Sequence, residues 1–476
     1  MTFNSYGYLS LLLVVVPLYW MVPAARRRWF ALALSVAYYA SWQPLFALLP
    51  LALAVWTWWI VRAMETEPAR SKAWVRAGIT GLVGLLAFFK YREFLWANAV
   101  ALWNGREGQT LLAIGLPLGI SFLTFDAIAV LLDARQKRVR RPSVWDLWQL
   151  FGFWPSLLSG PIVRFREMVP QWTSPKKWDR SALIGGLDRL IVGLVQKNFI
   201  ANSLGAVVDE GFLPKAALTN TTLDNWVLAI AYGLQIYFDF AAYTNMAIGS
   251  ARLLGLNLPG NFRYPYHASS PPDFWSRWHM SLSRWIRDYL FFPINAKYGG
   301  RPLPLYISLV AIMSLVGLWH GAGWGFLVWG GLHGVYLVVY RMWESFAQSR
   351  GGWTKSAWTK LIWRGATLAA VAIAWVPFRA ATLEQSAGML KHMFLPNGFA
   401  ASYGVNALLI TASALVYCAL EPFLAAWLQR AEQRIIAWPG GQLWSWLVVR
   451  PAFYAALLLL FVAFDERNAR FIYFQF

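Results

Sequence analysis

The residues in this chain best suited to catalysis are histidines in two stretches rich in aromatic side chains. The first stretch, Asp273 to Pro293, holds His279. The second, Leu318 to Gly334, holds His320 and His333, so the two contain three of the chain's five histidines. A neutral imidazole is a general base near pH 7. Such a base can take the proton of an alcohol as its oxygen attacks a thioester carbonyl, so acyl transfer is one chemistry open to these residues.

Other chemistries have less support in the sequence. There is no His-Glu-x-x-His motif and no cysteine–histidine spacing, so a metal site is not predicted. There is no Gly-x-Ser-x-Gly nucleophile motif. The sole cysteine, Cys418, lies in an apolar run away from any histidine in the sequence. If the chain transfers acyl groups, direct transfer or an acyl group held by a partner is therefore favoured over a local serine or cysteine intermediate.

Each histidine also has a purely structural interpretation. His320 falls between two apolar runs and precedes several glycines, and ionisable residues at membrane depth are candidates for function. His333 is surrounded by glycines that favour close helix packing, which favours a structural role for it. The residues alone leave His279 open between a structural group beside an apolar face and a catalytic one.

The stretch around His279 predicts one amphipathic helix at the cytoplasmic membrane interface. Its apolar stripe recurs every three or four residues: Trp275, Trp278, Leu282, Trp285 and Tyr289. Arg277 and Arg284 lie away from that stripe. Arginines in this position suit either lipid headgroups or an anionic acyl donor.

The composition indicates the kind of scaffold that positions these residues. Of the 476 residues, 58% are hydrophobic and 13% are charged, whereas soluble domains carry about 25% charged residues. Apolar runs recur along the whole length. The sequence therefore predicts an all-α polytopic integral membrane protein with about 12 spanning helices, in a range of roughly 10 to 13, plus re-entrant or interfacial helices.

The net charge of +20 is assigned to membrane topology and lipid contact, and nucleic acid is not a predicted partner. The basic residues lie in short loops between apolar runs, as the positive-inside rule expects of cytoplasmic loops. Counting spans from the first basic cluster, Arg26 to Arg28, places the N-terminus outside. A short apolar segment, Trp148 to Leu158, is predicted to be re-entrant or interfacial.

We expect a single membrane domain over residues 1–476, with N-terminal spans in 1–141, a core carrying both histidine motifs in 142–341, and C-terminal spans in 342–476. The predicted hydrophobic segments are Tyr6–Val22, Trp29–Trp42, Leu45–Val61, Ala77–Phe89, Leu111–Leu132, Ala182–Phe199, Trp226–Ala251, Leu305–Trp319, Trp324–Tyr340, Ala366–Val376, Val405–Leu428 and Ala452–Phe464. The charges in Ala182–Phe199 must face protein or water for it to span. The segment Asn202–Asn225 is polar and predicted to be external.

The order of short motifs resembles the membrane-bound O-acyltransferase family, in its bacterial alginate O-acetyltransferase-like branch. The motifs are Leu116–Phe125, Ser159–Phe165, Tyr237–Phe240, Met246–Gly249, Asn261–Phe262, Pro265–Tyr266, Asp273–Ser283, Arg287–Leu290, Leu318–Gly323, Trp375–Arg379 and Phe471–Phe476. This resemblance covers most of the chain and implies a fold around an intramembrane reaction chamber.

The resemblance also implies roles for individual residues. His320 matches the histidine regarded as catalytic in the family, and His279 matches its second functional histidine. Residues beside these motifs are expected to contact substrate or donor: Asp239, Arg277, Arg284, Trp278, Trp319 and Asn261. For Asp239, a structural pairing with a lysine or arginine is an equal alternative to orienting a catalytic histidine.

The resemblance implies that the protein lies in the bacterial inner membrane and functions in the O-acetylation of an exopolysaccharide. No bound cofactor is expected, and the donor is acetyl-CoA or another acyl thioester from the cytoplasm. A periplasmic SGNH-hydrolase-like partner would complete transfer to the polymer, alongside the exopolysaccharide synthesis machinery. D-alanyl transfer to teichoic acid is the alternative within this fold, and a polysaccharide or lipid transporter is the alternative outside it.

The chain departs from the family pattern near the expected chamber. Asp126 and Ala127 replace a glutamine and a polar or aromatic residue. Ala241, Ala242 and later residues replace the polar positions after Asp239. These departures bear on the identity of donor and acceptor and leave the predicted fold unchanged.

Overall fold

We analysed a computed structural model of the chain. It describes residues 1–104, 115–139, 141–174, 177–214, 219–299, 301–349, 356–400, 403–438, 440–464 and 471–472. Within these ranges the secondary structure is helical, with no strand. Contacts group the chain into two compact units. The first comprises residues 1–190, 243–260 and 287–289, and the second comprises residues 191–242, 261–286 and 290–476. The single-domain organisation stays a prediction.

The helices up to residue 211 match most of the expected apolar runs. They are α1 (Tyr6–Met21), α2 (Arg27–Trp42), α3 (Leu49–Thr66), α4 (Ser71–Leu86), α5 (Arg92–Asn104), α6 (Ile120–Arg135), α7 (Val144–Gly152), α8 (Trp154–Leu157), α9 (Phe165–Thr173), α10 (Arg180–Val195) and α11 (Asn202–Gly211). The predicted segments Trp29–Trp42 and Leu45–Val61 are separated at Pro44, because α2 ends at Trp42 and a short 3₁₀ turn follows. A proline lacks the N–H that would continue the helix.

Two of the expected segments differ in extent. The segment predicted from Leu111 begins as a helix only at Ile120, after Gly119 with φ of 75°, and residues 105–114 lie outside the described part. The segment predicted to end at Phe199 continues to Gly211 through a π-helical turn, Gln196–Ala201. The helix therefore runs past Asn202, and the external placement of Asn202–Asn225 stays a prediction.

The remaining helices carry the functional motifs. They are α12 (Thr222–Leu253), α13 (Pro271–Arg277), α14 (Met280–Ile286), α15 (Phe292–Tyr298), α16 (Pro302–His320), α17 (Trp324–Ser349), α18 (Ala357–Arg379), α19 (Leu383–Phe394), α20 (Gly404–Ile436), α21 (Gly441–Trp444) and α22 (Arg450–Ala463). None of the predicted segments corresponds to α19, whose buried face holds only a few residues, among them Met389 and Met393.

Within the described residues, 7 helical stretches are long and apolar enough to cross a membrane. They are Pro44–Thr66, Pro68–Trp103, Arg180–Gly211, Thr222–Leu253, Pro302–His320, Ala357–Arg379 and Gly404–Ile436, and the shorter apolar helices are Tyr6–Met21 and Leu447–Ala463. An all-helical protein with several candidate membrane spans is confirmed. The count of about 12 stays a prediction.

The single amphipathic helix expected from Asp273 to Pro293 was wrong. The chain forms α13, breaks at Trp278 and His279, and resumes as α14, with a π-helical turn (Arg287–Phe291) before α15. The predicted stripe is buried inside the protein, with Trp278 at 1% and Leu282 at 0% exposure. Periodicity could not reveal the break, because the apolar spacing continues across it.

Candidate active site

His279 is placed by the break between α13 and α14. Trp278 is extended, with its N–H donating to the Phe274 carbonyl at 2.8 Å. His279 follows with φ of 42°, a left-handed conformation that is uncommon for a residue with a side chain. Its carbonyl accepts the N–H of Ser283 at 2.9 Å, which starts α14. Such outliers persist only where surrounding contacts enforce them, and they concentrate at functional sites.

Asn261 is one of the contacts that enforce this geometry. It is fully buried, and its carbonyl accepts the N–H of Met280 at 2.9 Å. Its side-chain oxygen accepts the hydroxyl of Ser281 at 2.6 Å and the N–H of Ser281 at 3.3 Å. Asn261 therefore satisfies the first turn of α14 as a helix cap does. The structure shows it bound to the two residues that follow His279, and the expected contact with substrate or donor stays a prediction.

His320 is the last residue of α16, and the α16–α17 hairpin holds it in place. Glycines let the two helices approach closely: a Cβ at Gly330 would collide with the Met313 carbonyl, and one at Gly334 would lie 2.6 Å from the Val310 Cα. At the turn, a Cβ at Gly321 would collide with the ring of Phe326. Small residues at a helix interface allow this backbone approach.

The structure brings His279 and His320 together within the second unit. Their ring centroids are 6.4 Å apart, and their exposures are 0% and 5%. Phe240 packs edge-on against His279 at 4.7 Å. Trp319 lies 6.2 Å from His279 and 4.9 Å from His320. The two histidines that the family resemblance singled out therefore share one aromatic-walled site, although they are distant in sequence.

His333 is separated from His320 by one aromatic ring. Trp329 separates it from His320, with centroid distances of 5.2 Å to His320 and 4.9 Å to His333. His333 is 1% exposed and also packs on Trp275 at 5.2 Å. Its Nε2 makes no hydrogen bond to any described residue. This packing between aromatic rings agrees with the structural role favoured for His333.

Aromatic side chains that the sequence analysis did not select as site residues form much of the wall. Trp375 stacks on Trp329 at 5.7 Å and lies 5.3 Å from Trp278. Phe378 packs edge-on against His320 at 5.6 Å. Trp375 and Phe378 belong to one of the quoted motifs, Trp375–Arg379, so the motif was the available signal. Only packing showed that it faces the histidines.

Burial controls the protonation of His279. Its complete burial lowers the pKa of the imidazole from 6.5 to about 3, because a charged ring loses its hydration there. At neutral pH the ring is therefore uncharged. A base with so low a pKa takes up a proton weakly, whereas a neutral imidazole still donates one hydrogen bond and accepts another. His279 is thus suited to binding and orienting.

Asp239 is engaged by groups other than the histidines. Lys197 Nζ donates to Asp239 Oδ1 at 2.6 Å, and the N–H of Ile472 donates to Oδ2 at 2.8 Å. Lys197 also lies 4.6 Å from the ring centroid of Phe471. Among the described residues Asp239 makes no hydrogen bond to His279 or His320. The geometry matches the structural pairing that the sequence left open, and it brings the beginning of the C-terminal motif to this pair. Residues 473–476 of that motif lie outside the described part.

The predicted donor-binding arginines are only partly exposed. Arg277 Nε donates to Asp273 Oδ1 at 2.7 Å, one helical turn earlier. Burial raises the pKa of the Asp273 carboxyl, but the hydrogen bond and charge of Arg277, together with hydrogen bonds from Ser269, outweigh it and hold that pKa below its usual value. Arg284 is half-buried on α14. Contact of either arginine with a donor stays a prediction.

Among the described residues, no group of three or more His, Cys, Asp or Glu side chains could hold a metal ion.

Comparison with known proteins shows which family and which relatives this chain resembles. The membrane-bound O-acyltransferase family (MBOAT) matches residues 17–373. The chain is 34% identical to a protein of Azotobacter vinelandii named "Probable alginate O-acetylase AlgI", over 83% of this chain and 78% of that protein. It is 30% identical to the peptidoglycan O-acetyltransferase of Helicobacter pylori, over 95% of this chain and 85% of that protein.

A third relative is similar over a smaller part. The teichoic acid D-alanyltransferase of Bacillus subtilis is 30% identical over 52% of this chain and 64% of that protein. All three relatives carry names that describe acyl transfer, and the matched family region contains both His279 and His320. The chain therefore belongs to the membrane-bound O-acyltransferase family and is an acyltransferase.

Proposed function

We propose that the protein is an O-acetyltransferase that modifies hydroxyl groups of a polysaccharide outside the cytoplasm. The observation that carries the proposal is the buried pair His279 and His320, 6.4 Å apart between aromatic rings. The similarity to the alginate and peptidoglycan O-acetylating relatives, which extends over more than four-fifths of the chain, supports acetyl as the group transferred.

In the proposed mechanism His320 acts as the general base. It takes the proton of an acceptor hydroxyl, which belongs either to the polymer or to a carrier from which the partner passes the acetyl group on. That oxygen attacks the acetyl thioester carbonyl, and the carbon–sulfur bond then breaks. The imidazolium returns the proton to the departing thiolate, so the products are an ester and a free thiol. The neutral His279 assists by hydrogen bonding to a reacting group, and the aromatic wall excludes water that would hydrolyse the thioester.

The donor is proposed to be acetyl-CoA or another acyl thioester, reaching the site from the cytoplasm. Arg277 and Arg284 supply positive charge that suits its phosphates, and Trp278, Trp319 and Asn261 would help to bind or position the reactants. The protein would lie in the bacterial inner membrane with its N-terminus in the periplasm. A periplasmic SGNH-hydrolase-like partner would complete transfer to the polymer made by the exopolysaccharide synthesis machinery.

Within the polysaccharide class, two acceptors have support from relatives. The similarity to alginate O-acetylases favours an alginate-like exopolysaccharide, and the longer alignment with the Helicobacter relative keeps peptidoglycan as a second candidate. D-alanyl transfer to teichoic acid has weaker support, because the similarity to that relative covers only about half of the chain.

The test is the His320→Ala variant, compared with a strain that lacks the protein. We expect the variant to insert into the membrane in normal amount while the secreted or wall polysaccharide carries no acetyl ester by mass spectrometry. His392→Ala is the matched control, since His392 lies on α19, apart from the aromatic site, and should leave acetylation intact. Wild-type acetyl content in the His320→Ala strain would overturn the mechanism.

A further inference from the structure

The second unit contains a cavity that the proposed mechanism does not use. Its volume is about 510 Å³, and it lies between α12, α18, α20 and the 3₁₀ turn Pro265–His267. Its walls are mainly apolar side chains, including Ile230, Leu234, Leu368, Ala369, Ala372 and Leu415. Because α12, α18 and α20 are all candidate membrane spans, lipid hydrocarbon would surround these helices in a membrane.

The cavity follows one face of α18. The α18 residues that line it include Arg364, Leu368, Ala372 and Trp375, which succeed one another at steps of three or four residues and so share a face. At 1.5 Å per residue, the distance along the helix from Arg364 to Trp375 is about 16 Å. The lining therefore extends along about three turns of α18, a length comparable to a large part of a fatty acyl chain, and we call this cavity the slot.

The two ends of the slot differ in chemistry. Arg364 is exposed, and no carboxylate of the described residues lies within ion-pair distance of it; its guanidinium donates only a long, 3.5 Å hydrogen bond to the His267 carbonyl. At the other end the wall includes Trp375, and the Tyr266 hydroxyl reaches this end, where it donates to the Gly233 carbonyl. Trp375 packs on both Trp278 and Trp329 of the aromatic site.

We propose that this slot binds an anionic phospholipid, with its phosphate at Arg364 and one acyl chain along α18 toward Trp375. An uncompensated guanidinium at the mouth of an apolar slot is complementary to an amphiphile that carries a negative headgroup and a hydrocarbon tail. Arginine also recognises phosphate oxygens with paired hydrogen bonds. The chain end then packs against Trp375, so lipid occupancy supports the ring that walls the histidine site.

This site is separate from acyl transfer, and its test does not need the enzymatic reaction. The purified full-length protein in detergent is titrated with phosphatidylglycerol, and with phosphatidylcholine of the same acyl chains, and bound lipid is counted by native mass spectrometry. We expect the wild type to prefer the anionic lipid. Arg364→Gln should weaken phosphatidylglycerol binding about fivefold, the effect of about one basic residue at an anionic membrane surface, and should leave phosphatidylcholine binding unchanged.

Lys360→Gln is the matched control. It removes a positive charge from the same helix one turn earlier, at an exposed residue that does not line the slot, and should keep the preference. A second variant, Ala369→Trp, fills the slot and should reduce binding of both lipids. The Ala369→Trp result is interpreted only if the unfolding temperature of this variant matches that of the wild type. Arg364 is exposed, so Arg364→Gln is not expected to affect the core.

Several outcomes would overturn the proposal. They are equal phosphatidylglycerol binding by wild type and Arg364→Gln, an equal loss with Lys360→Gln, or displacement of the lipid by inorganic phosphate alone. The last result would indicate a headgroup or free-phosphate site without a role for the slot. Displacement of bound lipid by coenzyme A would assign the slot to the acyl donor instead.

Discussion

At the scale of single residues, the two histidines of the site have different environments and so different capacities. His279 is fully buried beside Phe240, on a strained backbone, and burial lowers its pKa to about 3. His320 ends a helix and retains 5% exposure. A weak base that stays neutral suits orientation better than proton abstraction. His320 is therefore the proposed base, as its match to the family's catalytic histidine also implies.

The depressed pKa of His279 predicts a pH dependence of stability. Between about pH 3 and 6.5 the unfolded chain binds a proton at His279 and the folded protein does not, so the free energy of unfolding falls as pH falls below 6.5. The loss attributable to His279 should be about 2 kcal/mol at pH 5 relative to pH 7. Unfolding temperatures of wild type and His279→Gln in detergent at both pH values measure it.

In that experiment the His279→Gln variant should lose less stability on acidification than the wild type. His392→Gln, at a partly exposed histidine, should behave as the wild type does. An identical pH dependence in wild type and His279→Gln would contradict the assignment of a buried, neutral ring.

The pair Lys197 and Asp239 predicts a second effect at residue scale. Both side chains are nearly fully buried, at 3% and 2% exposure, so removing one partner leaves an uncompensated charge. Lys197→Met should therefore lower the free energy of unfolding by about 3–5 kcal/mol. Lys197→Met combined with Asp239→Asn should recover part of that loss, as measured by unfolding temperature and by the amount of inserted protein.

An exposed ion pair provides the comparison. Arg70 and Glu67 are 3.5 Å apart with side-chain exposures of 77% and 44%, so Arg70→Met should have little effect, because exposed pairs contribute little. If Lys197→Met is as mild as Arg70→Met, the buried pair is not formed in the membrane.

At the scale of elements, the site depends on close backbone contact between α16 and α17. Glycines on α17 meet the backbone of α16 without side chains between them, and His320 closes α16 where the hairpin turns. Backbone cannot yield as a flexible side chain can, so this interface fixes the position of His320. The break between α13 and α14, capped by Asn261, fixes His279 in a comparable way.

The glycines of α17 can be tested as a matched pair. A Cβ at Gly330 would collide with the Met313 carbonyl, whereas the nearest atom to a Cβ at Gly331 is the Ser314 hydroxyl oxygen at 3.4 Å. Gly330→Ala should separate the helices, destabilise the protein by about 1–3 kcal/mol and lower acetylation. Gly331→Ala should be tolerated in both unfolding temperature and acetyl content. Equal behaviour of the two variants would show that the hairpin is not packed this tightly.

At the scale of the whole molecule, the chain is a membrane-bound acyltransferase whose predicted orientation rests on its basic loops. The positive-inside rule predicts that the first basic clusters face the cytoplasm and that the N-terminus lies outside. This orientation matters for function because the proposed donor and acceptor lie on opposite sides of the membrane.

Orientation is measurable by cysteine labelling. The single native cysteine, Cys418, is buried, so a Cys418→Ser background accepts new single cysteines. Thr219→Cys, in the segment expected outside, should react with a membrane-impermeant maleimide in spheroplasts. Ala69→Cys, in the first basic region after α3, should react only after permeabilisation. Labelling of Ala69→Cys in intact spheroplasts would reverse the predicted topology.

The sequence by itself determined the helical membrane class, most segment positions and the two histidine motifs. Hydropathy and basic loops act locally, so they can be read from short windows around α1, α2 and α20. The tertiary structure decided what depends on distant residues: the break at Trp278, the partners of Asp239, which are 42 and 233 positions away, and the approach of Trp375 to His320 through Trp329. The apolar spacing of the sequence continues across the helix break at Trp278, so spacing cannot reveal the break. The sequence around a buried charge likewise does not identify the residue that pairs with it. The helix break and the ion pair both depend on packing between segments that are far apart in the chain.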